Sequence, residues 1–345
     1  MKDIRSLSLP EIEKYFTDIG ESKYRAAQVY EWLWEKKVTD IDLMTSLPLS
    51  LRERLKNDFA LPHLKTEIIQ QGSDGTSKIG FRSPDNHIIE GVLIPSGSRM
   101  TACISPQAGC ALNCSFCATG KLGFKRDLTP LEIFDQVTGL EKLAREMSVK
   151  RLSNIVLMGM GEPLLNYDNV CHAVKMISSG KGIGYSPRRI IISTAGITKN
   201  IRRIADDRLP VSLAISLHTA NNKKRELIMP VTKSNPVTEI ADAIKYYHQK
   251  TGSRISYEYL LLRDFNDTLS DARELAHFCR ISPCKINLIE YNEVEGSPFK
   301  RSAPEKTYEF MKFLQSRNLV VNLRKSRGAD IDAACGQLAG KHKTV

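Results

Sequence analysis

Cys110-Ala-Leu-Asn-Cys114-Ser-Phe-Cys117 puts three thiols into eight residues, at Cys-x3-Cys-x2-Cys spacing. Structural zinc takes four ligands, usually as two separated pairs, and no Cys or His at fitting spacing follows closely. A disulfide framework belongs to small secreted domains. This chain has 345 residues and opens Met1-Lys-Asp-Ile-Arg-Ser-Leu, with no apolar signal region. Iron–sulfur clusters are held by cysteine thiolates. Three thiolates on a cubane leave one iron without a protein ligand, open to a substrate or cofactor. Phe116, just before the last cysteine, is placed to shield such a cluster.

Outward from this loop, strand-like and helical segments alternate. Met100–Ile104, Asn154–Met158, Arg189–Ser193, Val211–Leu217, Ile255–Leu262, Lys285–Ile289 and Leu319–Leu323 read as strands. Between them, Thr129–Glu146, Asp168–Ile177, Val237–Gln249 and Ser270–Cys279 read as helices. Such alternation implies a parallel sheet with helices outside it. Six or seven repeats predict an α/β barrel, incomplete in its closure. Barrel active sites lie at the C-terminal ends of the strands, and the cysteine loop follows the first of these strands.

Residues 1–75 are expected to form a helical accessory domain. Ala26, Ala27, Tyr30, Leu33 and Trp34 recur at helical spacing, as do Leu51, Leu55 and Phe59. Lys23, Arg25, Lys36, Lys37, Arg52, Arg54 and Lys56 lie on the polar faces, which serve either as solvated surface or as an RNA-docking face. Gln71-Gly-Ser-Asp-Gly75 is a turn, and apolar runs at 78–81 and 88–94 predict a connecting hairpin over 76–98. The barrel is expected over 99–324 and a separate C-terminal segment over 325–345.

Fifty Lys+Arg against 39 Asp+Glu give a net charge of +11. Ten Lys/Arg and four Asp/Glu fall between Gly296 and Val345, so more than half of the excess sits there. A basic balance favours a polyanionic partner. No run of about 18 apolar residues occurs, so no membrane association is expected, and the location is expected to be cytoplasmic.

At the strand ends, Met158-Gly-Met-Gly161-Glu162-Pro163 offers glycines for close backbone approach and a carboxylate for an ammonium group. Ser193-Thr194-Ala-Gly196, Ser216-Leu217-His218 and Tyr291-Asn292 end later strands with small or polar groups. Each alone also fits a helix cap or turn. Cys103 lies on the strand feeding the cluster loop. Cys335 lies in Gly328-Ala-Asp330-Ile-Asp332-Ala-Ala-Cys335-Gly336-Gln337, a poor core helix and a candidate mobile active-site loop. Cys171, Cys279 and Cys284 read as inert buried thiols.

The cysteine loop resembles the signature of the radical S-adenosylmethionine (SAM) superfamily. More specifically, five segments resemble the bacterial dual-specificity 23S rRNA and tRNA adenine-C2 methyltransferases. They are Cys103-Ile-Ser-Pro-Gln-Ala-Gly-Cys110-Ala-Leu-Asn-Cys114-Ser-Phe-Cys117-Ala-Thr-Gly, Met158-Gly-Met-Gly-Glu162-Pro-Leu-Leu-Asn166, Ser193-Thr-Ala-Gly, Ala214-Ile-Ser-Leu-His218 and Asp330-Ile-Asp-Ala-Ala-Cys335-Gly-Gln-Leu. Tyr24-Arg-Ala-Ala-Gln-Val-Tyr-Glu-Trp-Leu is similar to the family's helical region, so the likeness spans nearly the whole chain.

The resemblance implies an incomplete (β/α)6-type barrel in which Cys110, Cys114 and Cys117 ligate a [4Fe–4S] cluster. It implies that Gly161, Glu162, Ser193, Ser216, Leu217, His218 and Asn292 line the SAM site. Two SAM molecules are then used per turnover. Cys335 accepts a methyl group from one, and the other yields a 5′-deoxyadenosyl radical that takes a hydrogen from that methyl. The carbon radical adds to adenine carbon 2. Cys103 then forms a disulfide with Cys335 and frees the methylated base, with Glu90 as proton acceptor. Carbon 2 is electron-poor and has no acidic proton, so polar methylation fails there whereas a carbon radical can add.

The implied partners are 23S rRNA, tRNA and an external electron donor such as flavodoxin, and the chain is expected to be a monomer. Arg188, Arg189, Arg324, Lys325 and Arg327 are the candidate phosphate contacts. A related enzyme methylates the same ribosomal adenine at carbon 8; Pro163 after Gly-Glu, with Trp32 and Trp34, fits the carbon-2 group better. Two other readings remain: a non-enzymatic iron–sulfur or zinc RNA-binding protein, and an unrelated radical enzyme acting on a small molecule.

Overall fold

Strands such as Ile255–Leu261, buried at every position, cannot lie on a surface sheet. They demand cover on both faces, the mark of a parallel sheet wrapped by helices. A computed structural model describes residues 1–147, 151–180 and 183–339 and shows that arrangement.

In chain order, β1 (Lys2–Asp3) precedes α1 (Leu9–Asp18), α2 (Lys23–Trp34) and α3 (Leu49–Asp58), and β2 (Phe59–Ala60) returns to pair with β1. Three antiparallel strands follow: β3 (Lys65–Gln71), β4 (Ser77–Arg82) and β5 (Ile88–Ser96). After β6 (Arg99–Ile104), a ribbon of β7 (Gln107–Gly109) and β8 (Phe124–Asp127) flanks the cysteine loop and the short α4 (Ala118–Lys121). Next come α5 (Pro130–Met147), β9 (Asn154–Leu157), α6 (Tyr167–Ser178), β10 (Ile190–Thr194), α7 (Thr198–Asp206) and β11 (Ser212–Ser216). The chain continues with α8 (Asn222–Ile228), α9 (Val237–Thr251), β12 (Ile255–Leu261), α10 (Leu269–Phe278), β13 (Cys284–Glu290), α11 (Pro304–Ser316) and β14 (Val321–Arg324).

The main sheet runs β14-β13-β12-β11-β10-β9-β6-β5-β4-β3, a row with two ends and no ring closure. From β6 to β14 every pairing is parallel. Six strand–helix units are therefore capped by a seventh parallel strand, β14. The sheet curls enough for Cys103 on β6 and Arg324 on β14, with five strands between them in the row, to line one cavity.

Residues 65–71 were expected within the helical region and instead form an edge strand of the main sheet. Lys65-Thr-Glu-Ile-Ile-Gln-Gln71 is polar on both faces and has no buried residue, so it carries no period-2 signal. Charged, polar edges of this kind resist unwanted strand pairing. In α2, Ala26, Val29, Leu33 and Trp34 are buried, while Ala27 is exposed. Trp34 meets Phe134 of α5 edge-on, with ring centroids 5.4 Å apart; such pairs add about 0.5–1.5 kcal/mol beyond burial. Arg5 Nη1 reaches Asp135 of α5 at 2.6 Å. These contacts join the N-terminal helices to the barrel's hydrophobic core. Among the described residues, no helix is long and apolar enough to cross a membrane.

Candidate active site

The C-terminal ends of β6, β9, β10, β11, β12, β13 and β14 and the loops after all of them but β12 enclose one cavity. Its lining includes Cys110, Cys114 and Cys117 together with Cys103 and Cys335. The cysteine loop leaves the ribbon through Cys110, whose N–H donates to Gly123 O at 3.1 Å. Asn113 takes a left-handed conformation (φ 49°), which turns the chain between the first two thiols. Leu112, Phe116, Ala195, Met229 and Leu260 give the loop an apolar backing. Phe116 packs edge-on against His218, with centroids 4.9 Å apart.

Burial pushes the Cys110 thiol up to about 11, and Cys114 rises well above the ordinary thiol range. Bare thiolates are therefore costly here, and bound iron would supply the missing positive charge. Among the described residues, no three Cys, His, Asp or Glu side chains converge as ligands of a single metal ion. A cubane seats each thiolate on a separate iron and needs only these three, whereas structural zinc takes four ligands. The cavity also holds an orphaned acceptor: Asn292 Oδ1 is buried without a hydrogen-bond partner, ready for a donor on a nucleoside.

The Gly159–Glu162 segment is shaped by its protein neighbours. A Cβ on Gly159 would stand 2.4 Å from Ser105 Oγ, and one on Gly161 (φ 98°) would stand 2.4 Å from Gln107 Cβ. Both glycines let this loop lie against the one after β6, where close approach to a ligand had been expected. Glu162 is buried; its two oxygens accept from Leu164 N–H (2.9 Å) and Ala195 N–H (2.7 Å). With the Thr194 side chain as a third donor, the carboxylate keeps one of about four lone-pair sites for an ammonium group. Burial raises its pKa to about 7.

Ser193 Oγ and Ser216 Oγ lie 3.3 Å apart across β10 and β11. His218 Nδ1 accepts from Leu260 N–H at 3.1 Å, so the ring proton sits on Nε2. Burial, helped by the charge of Arg225, pushes His218 down to about 3, and the ring is neutral. Leu217 packs into the core and does not line the cavity; its carbonyl accepts from Arg225 Nε at 3.1 Å. Arg225, fully buried, also donates to Ala195 O, Ser216 O and Thr232 Oγ1. It ties the ends of β10 and β11 beneath the site and places a positive charge near Glu162 and Cys114. Asn222-Lys-Lys-Arg225 reads in the sequence as a solvated helix face, so nothing in it betrayed this role.

The Cys335 segment is docked in this structure, although a mobile loop was expected. Ala118 N–H donates to Gly336 O at 2.7 Å and Thr119 Oγ1 to Leu338 O at 2.6 Å. Asp330 Oδ2 accepts from Ser73 N–H at 2.8 Å. Ala333 and Leu338 pack with Cys103, Val92, Val156 and Met160. Cys335 is accessible, and the surface it presents is cavity wall. Residues 340–345 of the expected C-terminal segment lie outside the described residues.

Glu90 does not line the cavity. It is fully buried on β5, on the same face as Val92 and Ile94 by strand alternation, and pairs with Lys78 Nζ at 3.4 Å. Lys78 Nζ in turn reaches Asp332 O at 3.4 Å. Cys171, Cys279 and Cys284 are also absent from the wall. Of the candidate phosphate contacts, Arg188 and Arg189 precede β10 and stand at the opposite end of the sheet. Arg324 Nη1 is engaged inside the cavity with Glu258, at 3.2 Å. Lys325 and Arg327 remain on the cavity lining.

Comparison with known proteins bears on this geometry. Residues 2–61 match the family described as "Ribosomal RNA large subunit methyltransferase N-terminal domain", and residues 104–279 match the radical SAM superfamily. A Christiangramia forsetii protein named "Probable dual-specificity RNA methyltransferase RlmN" is 47% identical, over 99% of this chain and 97% of its own. The chain belongs to the dual-specificity RNA methyltransferase family. A Desulfotalea psychrophila member, "Dual-specificity RNA methyltransferase RlmN", is 41% identical over 99% of this chain and 96% of its own. The crystal structure of a radical SAM methyltransferase from Sphaerobacter thermophilus superposes with a TM-score of 0.93 at 38% identity, covering 99% of this chain and all of that one. As a member of this family the chain is a radical SAM RNA methyltransferase, whose cofactors are a [4Fe–4S] cluster and SAM.

Proposed function

We propose that the chain methylates carbon 2 of adenine in 23S rRNA and in tRNA, with Cys335 as methyl carrier and Cys103 as the thiol that releases the product. The observation that carries this reading is the meeting of Cys103 and Cys335 on one cavity wall that also bears Cys110, Cys114 and Cys117. A site needing only a structural cluster has no use for two further thiols there.

Cys110, Cys114 and Cys117 would hold the cluster. When bound, the cluster supplies the electron that turns SAM into a radical source. Glu162 binds the ammonium group of SAM, and Ser193, Ser216 and Asn292 offer hydroxyls and an amide to its ribose and adenine. Neutral His218 donates from Nε2 and packs beneath Phe116. The apolar backing of the loop excludes water, which would quench a reactive carbon. The Cys335 sulfur attacks the methyl carbon of one SAM, S-adenosylhomocysteine leaves, and Cys335 carries the methyl group to the base. Cys103 attacks the Cys335 sulfur and frees the base as a disulfide forms. Glu90, buried and paired with Lys78 outside the cavity lining, has no step in this reading.

The adenine enters unpaired, as chemistry on a base requires. Lys325 and Arg327 contact its flanking phosphates. The chain works in the cytoplasm as a monomer, reduced by an external donor such as flavodoxin. Mass spectrometry of digested 23S rRNA and tRNA, from a host lacking its own enzyme, tests the reading. A 2-methyladenosine peak with the wild type and none with Cys335→Ala supports it. An 8-methyladenosine peak would move the chain to the carbon-8 reaction, and no methylated adenosine would overturn both.

A further inference from the structure

At the N-terminal ends of the strands, away from the thiols, a second cleft gathers positive charge. Its volume is about 470 Å³, and its lining includes Lys37, Glu141, Arg145, Arg151, Tyr185 and Arg189. Four cations against one carboxylate leave a net charge of +3 on the lining. The four arrive on separate elements. Lys37 follows α2, Arg145 stands on α5, Arg151 precedes β9 and Arg189 precedes β10. They are spread over more than 150 residues, so the cluster is a product of the fold and not of one charged run.

The cluster has a fixed half and a free half. Glu141, buried on α5, holds Arg145 Nη2 at 2.8 Å and Lys37 Nζ at 3.6 Å. Tyr185 Oη donates to the same carboxylate at 3.5 Å. Lys37 is left-handed (φ 56°) in the turn after α2, a conformation that glycine or asparagine fills with less strain. The turn by itself therefore does not favour a lysine there. Arg151 and Arg189 are exposed and form no ion pair among the described residues. Two free guanidiniums, in a cleft whose one lining acid is already engaged, suit an external anion. Guanidinium forks match phosphate oxygens in pairs.

The occupant that fits is the phosphate backbone of the substrate RNA. The cleft lies on the seam between the N-terminal region, residues 2–61, which supplies Lys37, and the barrel, which supplies the other three. Arg189 stands four residues before Ser193 of the thiol cavity along β10. At about 3.3 Å per residue that is about 13 Å, well under one turn of a nucleic-acid helix, about 34 Å for DNA. An RNA lying along the side of the barrel can thus engage both ends.

We propose that this cleft is a second phosphate-binding site for the substrate RNA, contacted directly by Arg151 and Arg189 and supported by Lys37 and Arg145, at the end of the barrel opposite the reacting adenine. It rests on the family's RNA substrate and not on the carbon-2 assignment. The contact fixes the orientation of the RNA and reads no base.

The test is binding of a tRNA transcript and of a 23S rRNA fragment to the cluster-loaded full chain, by fluorescence anisotropy, between about 50 and about 200 mM salt. Arg151→Gln combined with Arg189→Gln should weaken both RNAs about tenfold at the lower salt. Each phosphate contact contributes about 0.7–0.9 to the slope of log affinity against log salt, so the slope should fall by about 1.5. Iron content, SAM affinity and the melting midpoint should stay as in the wild type, because neither arginine has an ion pair to lose. Lys312→Gln combined with Arg317→Gln removes the same charge at α11, which packs against β14 at one end of the sheet row. That control should bind RNA as the wild type does. Unchanged affinity and slope in the cleft variant would overturn the proposal, and so would an equal loss in the control, which would make net charge the cause. Loss confined to the cleft variant, with no 2-methyladenosine formed by the wild type, would sink the carbon-2 reading and leave the site standing. Formation of 2-methyladenosine with unchanged RNA binding in the cleft variant would sink this proposal alone.

Discussion

Two sets of thiols share one cavity and reach it by different routes. Cys110, Cys114 and Cys117 fall within eight residues, and their approach depends on one tight loop. Cys103 sits inside β6, and Cys335 arrives from more than two hundred residues away on a segment after the last strand. The first set is local chemistry. The second is assembled by the fold: Ala118 and Thr119, next to the cluster loop, donate to the Gly336 and Leu338 carbonyls, and Ala333 and Leu338 pack with Cys103. The carrier cysteine is thus tethered to the loop that would hold the cluster, and the two halves of the chemistry share one support.

The largest expected effect separates the two sets outright. Cys335→Ala should cut 2-methyladenosine by on the order of a thousandfold or more while leaving iron and sulfide content unchanged. Cys114→Ala should abolish both. Iron loss in Cys335→Ala would show that the sets are not independent.

Next in size is Arg225→Met, which removes a donor from Ala195 O, Ser216 O, Leu217 O and Thr232 Oγ1. Removing one member of a buried charged network costs about 3–5 kcal/mol, so the midpoint of unfolding should fall clearly in thermal melts. An unchanged midpoint would mean that the strand ends do not depend on this residue.

Glu162→Gln should weaken SAM by about 1.5–3 kcal/mol, the usual worth of a hydrogen bond to a charged group, as read by equilibrium dialysis. The wild type carries a pH signature too. Burial holds Glu162 near 7, so it is charged above that pH and neutral below it. SAM affinity should therefore drop as the pH falls below about 7, and the drop should vanish in Glu162→Gln.

The smallest effect probes the tether. Thr119→Val removes the donor to Leu338 O at a cost of about 1 kcal/mol. Methylation of Cys335 in a single turnover should slow severalfold with the iron content intact. Equal rates would show that the segment keeps its place without this bond.

Much of this was legible before any coordinates. The strands from Met100 to Leu323 fell close to their observed positions because parallel strands that are largely buried, such as β9 to β12, leave apolar runs. The polar edge strand Lys65–Gln71 was missed because it buries nothing. Within the site, Glu162, Ser193, Ser216, His218 and Asn292 stand on the cavity wall where strand-end motifs placed them, whereas Leu217 and Glu90 do not. Arg188 and Arg189 look like any basic pair in the sequence, and only the direction of β10 puts them at the far end.

The sequence by itself determined the ligand loop and the β/α alternation, since spacing within a few residues and the periodicity of burial are local properties. Only the tertiary structure decided that Arg225 is a buried tie and that Glu258 engages Arg324 inside the cavity. The reason is physical: a charged side chain carries the same signal in a sequence whether water or a carbonyl cage surrounds it. Burial and partners, which fix its chemistry, come from strands brought together by the fold.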